Sequence, residues 1–218
     1  LCQYSIAQSC NLMWLDGVYM LPLILLGVYQ LLYSGHIWKL AVPVALSILF
    51  NWYTGGINCI FSGVWLLLEL CLYLISSDFS KKALCSCFRF IAYYLMAMIS
   101  GVLCSCALFL PTVSAMRNSN RGALDFSTLL NFSFTGNFST ILSNYVLGSV
   151  STRGNVSLFC GTFAITGLIA LFLSKKVSAR LKTVLAGFAV LSVMLLYWEP
   201  FCTVFSLFKV VSSYWYRY

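Results

Sequence analysis

Two carboxylates stand out among the side chains of this sequence that could do chemistry. The chain has only five acidic residues. Asp16 lies near the start of the apolar run NLMWLDGVYMLPLILLG, and Glu69 lies deep inside another, VWLLLELCLYLISS. A carboxylate in apolar surroundings is costly unless it is paired, protonated or put to use. Each of these two residues therefore needs a partner or a function.

Asp16 has two interpretations, which the sequence leaves open. In the first turn of a helix, its charge would be stabilised by the helix dipole, typically by about 0.3–1 kcal/mol. Alternatively, Asp16 could hold a metal ion or a substrate hydroxyl at the membrane surface, together with Arg117, Arg121 and Glu199. The sequence does not identify the catalytic residue, and Asp16 is the candidate for it.

Glu69 is predicted to form a structural ion pair with Arg89. At 1.5 Å of rise per residue, Glu69 lies about 13 Å from the end of its helix near Asp78. Arg89 lies at a similar depth on the next helix, which runs antiparallel. The functional alternative is a proton relay or an ion site. That alternative would normally require a second acid or a histidine in the same layer, and the sequence places neither there.

Several kinds of chemistry are not indicated. The sequence has no glycine-rich phosphate loop and no Ser-His-Asp set, and it has one histidine, so hydrolase chemistry is not expected. The pairs Cys85/Cys87 and Cys104/Cys106 have side chains about 200° apart on a helix, so neither pair can chelate one ion. We interpret the cysteines as small buried apolar residues and predict no metal site. No cofactor can be named.

The composition indicates that lipid is the solvent for most of the chain. Of 218 residues, 61% are hydrophobic and 8% are charged, and the mean hydropathy is +0.92. So few charges cannot cover a water-soluble domain of this size. The net charge of +8 could suit nucleic acid, but the basic residues fall in short clusters between apolar runs. Membrane topology explains them better, and no nucleic-acid partner is expected.

The apolar runs predict an all-α fold: a polytopic transmembrane helix bundle that forms a single transmembrane domain over residues 1–218. A bilayer core requires about 20 helical residues. Within NWYTGGIN, Gly55 and Gly56 suit a tight turn at the membrane surface. The six predicted membrane helices are Leu15–Tyr33, Ile37–Tyr53, Ile57–Ser76, Leu84–Leu110, Val156–Leu173 and Thr183–Trp198.

The basic clusters predict the orientation of these helices. LSKKVSARLK and SDFSKK are rich in lysine and arginine, so both loops should be cytoplasmic. Two helices lie between the two loops, which is consistent with a shared side. The alternation then also places the loop with His36 and Lys39 inside. Asp16, the Gly55–Gly56 turn and the tail after Trp198 should be extracytoplasmic.

A long polar loop, at about residues 111–155, should also lie outside. Its spaced leucine and phenylalanine residues predict interfacial helices. Asn131, Asn137 and Asn155 match glycosylation sequons, which we interpret as chance matches of a short motif. The chain begins with Leu1 and has no signal sequence, so we expect it to be an internal piece of a longer protein.

Five segments together resemble the YfhO family of bacterial multi-pass membrane proteins. The family's W-L-D, L-P-L-I-x-L-G and N-F-Y-x-G-Y read here as Trp14–Asp16, Leu21–Gly27 and Asn51–Gly56. GVLCSCALFLPTVSAMRNSNRG is similar to the family's G-x-x-x-x-A-x-x-L-P-x-x-x-x-x-x-x-S-R region, and the closing YWYRY is similar to P-Y-R-Y-S-F. The resemblance covers nearly the whole chain.

This resemblance implies a GT-C-like glycosyltransferase of the bacterial cell membrane. Such an enzyme takes a sugar from a polyprenyl-phosphate carrier at the outer leaflet and adds it to a cell-envelope polymer such as teichoic acid. The catalytic acid of such enzymes lies in the first outer loop, which implies a position upstream of residue 1. The candidate substrate-binding residues are Asn51, Tyr53, Arg117, Arg121, Glu199 and Arg217.

Two other classes of function stay open. A transporter or flippase for an envelope precursor would predict inverted repeats and helices broken by glycine or proline near mid-membrane. The breaks in this sequence are few, with Pro22 and Pro43 near opposite ends of their helices, which favours the transferase. A non-catalytic membrane scaffold is the third class. The donor sugar, the acceptor and the oligomeric state are not determined by the sequence.

Overall fold

The computed structural model describes residues 12–117, 126–130, 133–134, 139, 143, 160 and 162–208. These residues are helical apart from connecting segments and one isolated β-bridge, between Phe134 and Trp198. The predicted all-α class is thereby confirmed. The α-helices are α1 Leu12–Ser34, α2 Trp38–Phe50, α3 Trp52–Ser76, α4 Lys81–Arg117, α5 Thr162–Leu173, α6 Ala179–Tyr197 and α7 Glu199–Phe205, with a 3-10 helix at Ser127–Leu130.

Each of the six predicted membrane runs overlaps one helix, α1 to α6, although the second run extends past the end of α2 into α3 and most of the start of the fifth run lies outside the described residues. Among the described residues, three segments are long and apolar enough to cross a bilayer: Leu15–Ser34, Trp52–Ser76 and Lys81–Ala115. The helices α2 and α5 are apolar but shorter, with 13 and 12 residues. At 1.5 Å per residue, α2 is about 20 Å long, less than the roughly 30 Å of a hydrocarbon core.

The chain divides into two compact units. The N-terminal unit is Met13–Gly122 and contains most of α1 and all of α2, α3 and α4. The C-terminal unit contains the residues from Ala123 onward, together with Leu1–Leu12. In the C-terminal unit, α7 lies against both α6 and the 3-10 helix.

The predicted turn at Gly55–Gly56 is wrong, because the chain turns four residues earlier, at Asn51. The backbone of Asn51 is extended, with φ −155° and ψ 102°. Its Oδ1 atom accepts hydrogen bonds from the backbone N–H groups of Tyr53 and Thr54, at 3.1 and 3.3 Å. An asparagine that accepts such bonds is a favoured N-cap. Both glycines therefore lie inside the first turns of α3.

The predicted start of the long loop at Pro111 is also wrong. The helix α4 continues through this proline to Arg117. Proline removes one backbone bond, but a long membrane helix tolerates it where side-chain hydroxyls supply further hydrogen bonds. Thr112 supplies one here, with its Oγ1 donating to the carbonyl of Leu108 at 2.9 Å. The predicted interfacial helices of this loop fall largely outside the described residues, among which the 3-10 helix Ser127–Leu130 is the longest continuous helical piece.

Glycines allow the short helix α2 to pack closely against its three neighbours in the N-terminal unit. A Cβ at Gly27 of α1 would lie 2.8 Å from the carbonyl oxygen of Lys39. A Cβ at Gly55 of α3 would lie 2.9 Å from that of Ser47, and one at Gly101 of α4 would lie 2.8 Å from that of Ala41. Small residues at such contacts are typical of membrane helix packing, which depends on close backbone approach.

The apolar core of the N-terminal unit lies around α2. Fully buried side chains come from α1, α2 and α4, and they include Ile24, Val28, Leu31, Leu40, Val44 and Ala97. Large apolar side chains on the opposite faces are exposed, as expected for helices whose solvent is lipid. The interpretation of the cysteines as buried residues holds for Cys87 and Cys202 and is wrong for others of the described cysteines, because Cys71, Cys85, Cys104 and Cys160 are exposed.

Candidate functional site

A layer of polar groups lies where α1 begins and where α2 meets α3. We call the groups Gly17, Ser47, Asn51, Thr54 and Asn58 the polar layer. The buried Asn58 Nδ2 atom donates to the carbonyl oxygen of Gly17 at 2.9 Å and to the Ser47 Oγ atom at 3.5 Å. Buried amides in a membrane must find such partners, because no water is present to replace them. The polar layer therefore holds three helices together at one end of the N-terminal unit.

Close packing in this layer joins two of the quoted motifs. A Cβ on Gly17 would lie 2.6 Å from the Cβ of Thr54, so only glycine fits beside that threonine. The Thr54 hydroxyl donates to the carbonyl of Asn51 at 3.3 Å. The W-L-D segment and the N-W-Y-T-G-G segment, distant in sequence, are consequently in contact. This contact places Asp16 next to the polar layer.

Asp16 lies in the second turn of α1 rather than the first, because the helix begins at Leu12. The stabilising effect of the helix dipole is concentrated in the first turn, which weakens the purely structural interpretation. Asp16 is partly exposed. Within the described part of the chain, its carboxylate makes no hydrogen bond or ion pair. A partly exposed acid beside a fixed polar layer is a suitable group for contacting a ligand.

Asn51 and Tyr53 precede Thr54, the residue that packs against Gly17, and Asn51 already has a structural role as the N-cap of α3. The ring of Tyr53 lies edge-on to Trp52, with 5.8 Å between ring centroids. Trp52 in turn approaches Phe109 of α4, with 6.5 Å between centroids. The substrate-binding role of Asn51 and Tyr53 stays a prediction, and their observed role is to fix the start of α3.

Glu199 lies in the C-terminal unit, at the first position of α7. Its carboxylate accepts a hydrogen bond from the Ser133 hydroxyl, and its backbone N–H donates to the Ser133 carbonyl oxygen at 3.1 Å. An acid in the first turn is also favoured by the dipole of α7. These contacts give Glu199 a structural role within its own unit.

The remaining candidate substrate-binding residues lie wholly or partly outside the residues that the structure describes. Arg117 is the last residue of α4, and its side chain is not among the described ones. Arg121 and Arg217 lie outside the described residues, as do the sequon residues Asn131, Asn137 and Asn155. Their proposed contacts with a phosphate stay predictions.

The predicted Glu69–Arg89 ion pair is not formed. Glu69 is buried, with 8% of its surface exposed, whereas Arg89 is exposed on α4. The carboxylate of Glu69 instead accepts a side-chain hydrogen bond from Trp65, one turn earlier on the same helix, and Tyr33 of α1 lies near it. The depth of the two residues matches, but the helix α4 presents Phe90, Tyr94 and Ala97 to the core. Arg89 lies on another face of that helix.

Asn58 and Ser62 belong to a polar stripe that the sequence reasoning missed. Ser62 is fully buried, and its hydroxyl lies 2.8 Å from the Tyr94 hydroxyl of α4. The stripe follows one face of α3 at intervals of three, four and seven residues, which is the spacing of side chains on one helix face. This spacing within an apolar run was the available signal. The stripe consists of Asn51, Thr54, Asn58, Ser62 and Glu69.

Comparison with known proteins identifies the family. A family model described as "Bacterial membrane protein YfhO" matches residues 1–218 of the chain. No curated protein and no solved structure gives a match. The match covers the whole chain, and the membrane helices of the fold agree with its description. The chain belongs to the YfhO family of bacterial membrane proteins.

Proposed function

We propose that this chain forms part of a membrane glycosyltransferase that uses a polyprenyl-phosphate-linked sugar to modify a cell-envelope polymer such as teichoic acid. Membership of the YfhO family supports this function, because the resemblance of the motifs to that family implies a GT-C-like enzyme. The observation that carries it is the position of Asp16, a partly exposed acid next to the polar layer. The proposed site faces the extracytoplasmic side.

The proposed reaction is an inverting transfer. A carboxylate acting as general base removes the proton of the acceptor hydroxyl, and the acceptor oxygen attacks the anomeric carbon of the sugar. The bond between that carbon and the phosphate oxygen breaks, and the polyprenyl phosphate leaves with the electron pair. Arg117 and Arg121 stabilise the departing phosphate. Asp16 accepts a hydrogen bond from a sugar or acceptor hydroxyl and so orients it.

Substitution of Asp16 in the full-length protein tests this proposal. Asp16→Asn keeps the size of the side chain and removes its charge, so insertion into the membrane should be retained. Incorporation of sugar into the envelope polymer should fall by about tenfold or more, since a hydrogen bond to a charged group contributes about 1.5–3 kcal/mol and about 1.4 kcal/mol corresponds to a factor of ten. Asp78→Asn is the matched control, because it removes an exposed acid from the loop between α3 and α4. This control should glycosylate normally.

Normal glycosylation by the Asp16→Asn protein at equal expression would show that Asp16 is not part of the substrate-binding site.

A second assay separates the transferase from a transporter. The purified full-length protein in detergent receives a radiolabelled polyprenyl-phosphate sugar and the acceptor polymer. Transfer without an intact membrane supports the transferase. If the protein transfers no sugar to the polymer in detergent but moves the lipid-linked sugar across the membrane of liposomes, it is a transporter instead.

A further inference from the structure

Three exposed basic side chains lie within the first nine residues of α4 in the N-terminal unit. Lys81 and Lys82 form its first two residues, and Arg89 follows about 12 Å further along the helix at 1.5 Å per residue. All three side chains are exposed. Within the described part of the chain, none of them makes a hydrogen bond or an ion pair, either with Asp78 of the preceding loop or with Glu69, which is buried beside Trp65. Their charges are therefore available to a ligand.

The position of these cations is unfavourable for the helix alone. Positive charges in the first turn of a helix oppose its dipole, which favours anions at that end. An arginine within a membrane helix is also costly unless its guanidinium reaches the polar interface or meets an anion. An anion beside Lys82 and Arg89 would remove both costs.

The face of α4 that carries Lys82 and Arg89 is basic near the start of the helix and apolar further along it. Residues at seven-residue intervals lie on nearly the same face, and here they are Lys82, Arg89, Met96 and Leu103. All four are exposed. The face thus presents two cations followed by two apolar side chains. From Arg89, Met96 lies about 10 Å and Leu103 about 21 Å along the axis, which brackets half the thickness of a hydrocarbon core.

We infer that this face of α4 is a binding site for one anionic membrane lipid. The phosphate of the head group contacts Lys82 and Arg89, and Lys81 adds charge at the rim. An acyl chain follows Met96 and Leu103. A free phosphate ion would match the cations but would leave the apolar part of the face unused. The inference does not depend on the proposed glycosyltransferase activity.

The test measures lipid binding to the purified protein by native mass spectrometry. The probe is phosphatidylglycerol, with phosphatidylcholine as the neutral reference, added to the same detergent micelles. We expect the unaltered protein to retain phosphatidylglycerol preferentially. Arg89→Gln and Lys82→Gln should each weaken this binding about fivefold, the effect expected for one basic residue at a lipid surface. Arg89→Lys should retain most of the binding, because it keeps the charge.

Three outcomes would overturn the inference. One is equal binding of both lipids by the unaltered protein. Another is an equal loss in Lys176→Gln, which removes an exposed lysine between α5 and α6 and would indicate diffuse attraction rather than a site. The third is displacement of the lipid by millimolar inorganic phosphate, which would identify a simple anion site. Unchanged circular dichroism and elution volume of Arg89→Gln would show that a loss of lipid does not reflect unfolding.

Discussion

Single residues near Asp16 combine structural roles with the proposed functional ones, and Asn51 shows the structural role most directly. Its side chain accepts two backbone hydrogen bonds at the start of α3, while the chain leaves α2 at the same residue. The family motif that begins with this asparagine therefore has a structural requirement independent of any substrate. Contact of Asn51 with a sugar would be an additional role.

Replacement of Asn51 tests its structural role as the N-cap of α3. Asn51→Ala removes the cap and should lower the free energy of unfolding by about 1 kcal/mol. Asn51→Asp retains an oxygen that accepts the same bonds and should have nearly unchanged stability. Unfolding in mixed micelles, followed by circular dichroism, measures both variants. A loss of the same size in Asn51→Asp would mean that the amide group, rather than the capping oxygen, stabilises this region.

Glu69 shows how a carboxyl group in a membrane helix can be accommodated without an ionic partner. Its carboxylate is buried beside Trp65 of its own helix. Because Arg89 lies on a different face of α4, these two charges have separate surroundings and separate explanations. The buried acid belongs to the polar stripe of α3, and the arginine belongs to the exposed cationic face of α4.

At the scale of whole helices, α2 determines how the N-terminal unit packs. It is too short to cross a bilayer by its own length, yet three longer helices approach it closely at glycines. Its neighbours α1 and α3 are joined to each other by the bond from Asn58 to Gly17. Close backbone contact and a few buried hydrogen bonds replace the hydrophobic effect, which is weak between helices in lipid.

A larger side chain at one of these contacts should destabilise the unit. Gly101→Ala places a Cβ 2.7 Å from Val44 Cγ1 and 2.8 Å from the Ala41 carbonyl oxygen, so the helices must separate. We expect a loss of about 1–3 kcal/mol in the free energy of unfolding. Gly167→Ala in α5 is the control, because its Cβ would meet no described atom within 4 Å. The control should be neutral or stabilising by up to about 1 kcal/mol, and an equal loss in both variants would contradict the packing explanation.

At the scale of the molecule, the basic loops predict how the chain is oriented in the membrane. Lys81 and Lys176 should both face the cytoplasm, whereas Asp16 and the loop with Leu130 should face outward. This sidedness is required by the proposed function, because a polyprenyl-phosphate sugar is used at the outer leaflet. It is independent of the inferred lipid site, which needs only a head-group layer near Arg89.

Cysteine labelling measures this orientation. In a variant without native cysteines, Ser80→Cys and Ser174→Cys should react with a membrane-impermeant maleimide only after the cells are permeabilised. Leu130→Cys, at a position that is 84% exposed, should react in intact cells. Labelling of positions 80 and 174 from opposite sides would contradict the predicted topology.

The sequence by itself determined that this chain is a bundle of membrane helices and where most of those helices lie. Its excess of apolar residues and the spacing of its few charges were sufficient, because a backbone in lipid must satisfy its own hydrogen bonds and therefore forms helices. The motifs around Asp16 and Asn51 also identified the YfhO family, which the comparison confirmed. Depth along a helix could be counted in the same way, at a fixed rise per residue.

Only the tertiary structure decided which faces of the helices meet. Counting residues placed Glu69 and Arg89 at one depth, but the rotation of α4 about its axis turned Phe90 and Tyr94 inward and left Arg89 exposed. Gly55 packs against the backbone of Ser47 and does not form a turn. The bond from Asn58 to Gly17 likewise joins residues 41 positions apart. Rotation and lateral contacts depend on the packing of all neighbouring side chains at once, and no local pattern in the sequence specifies them.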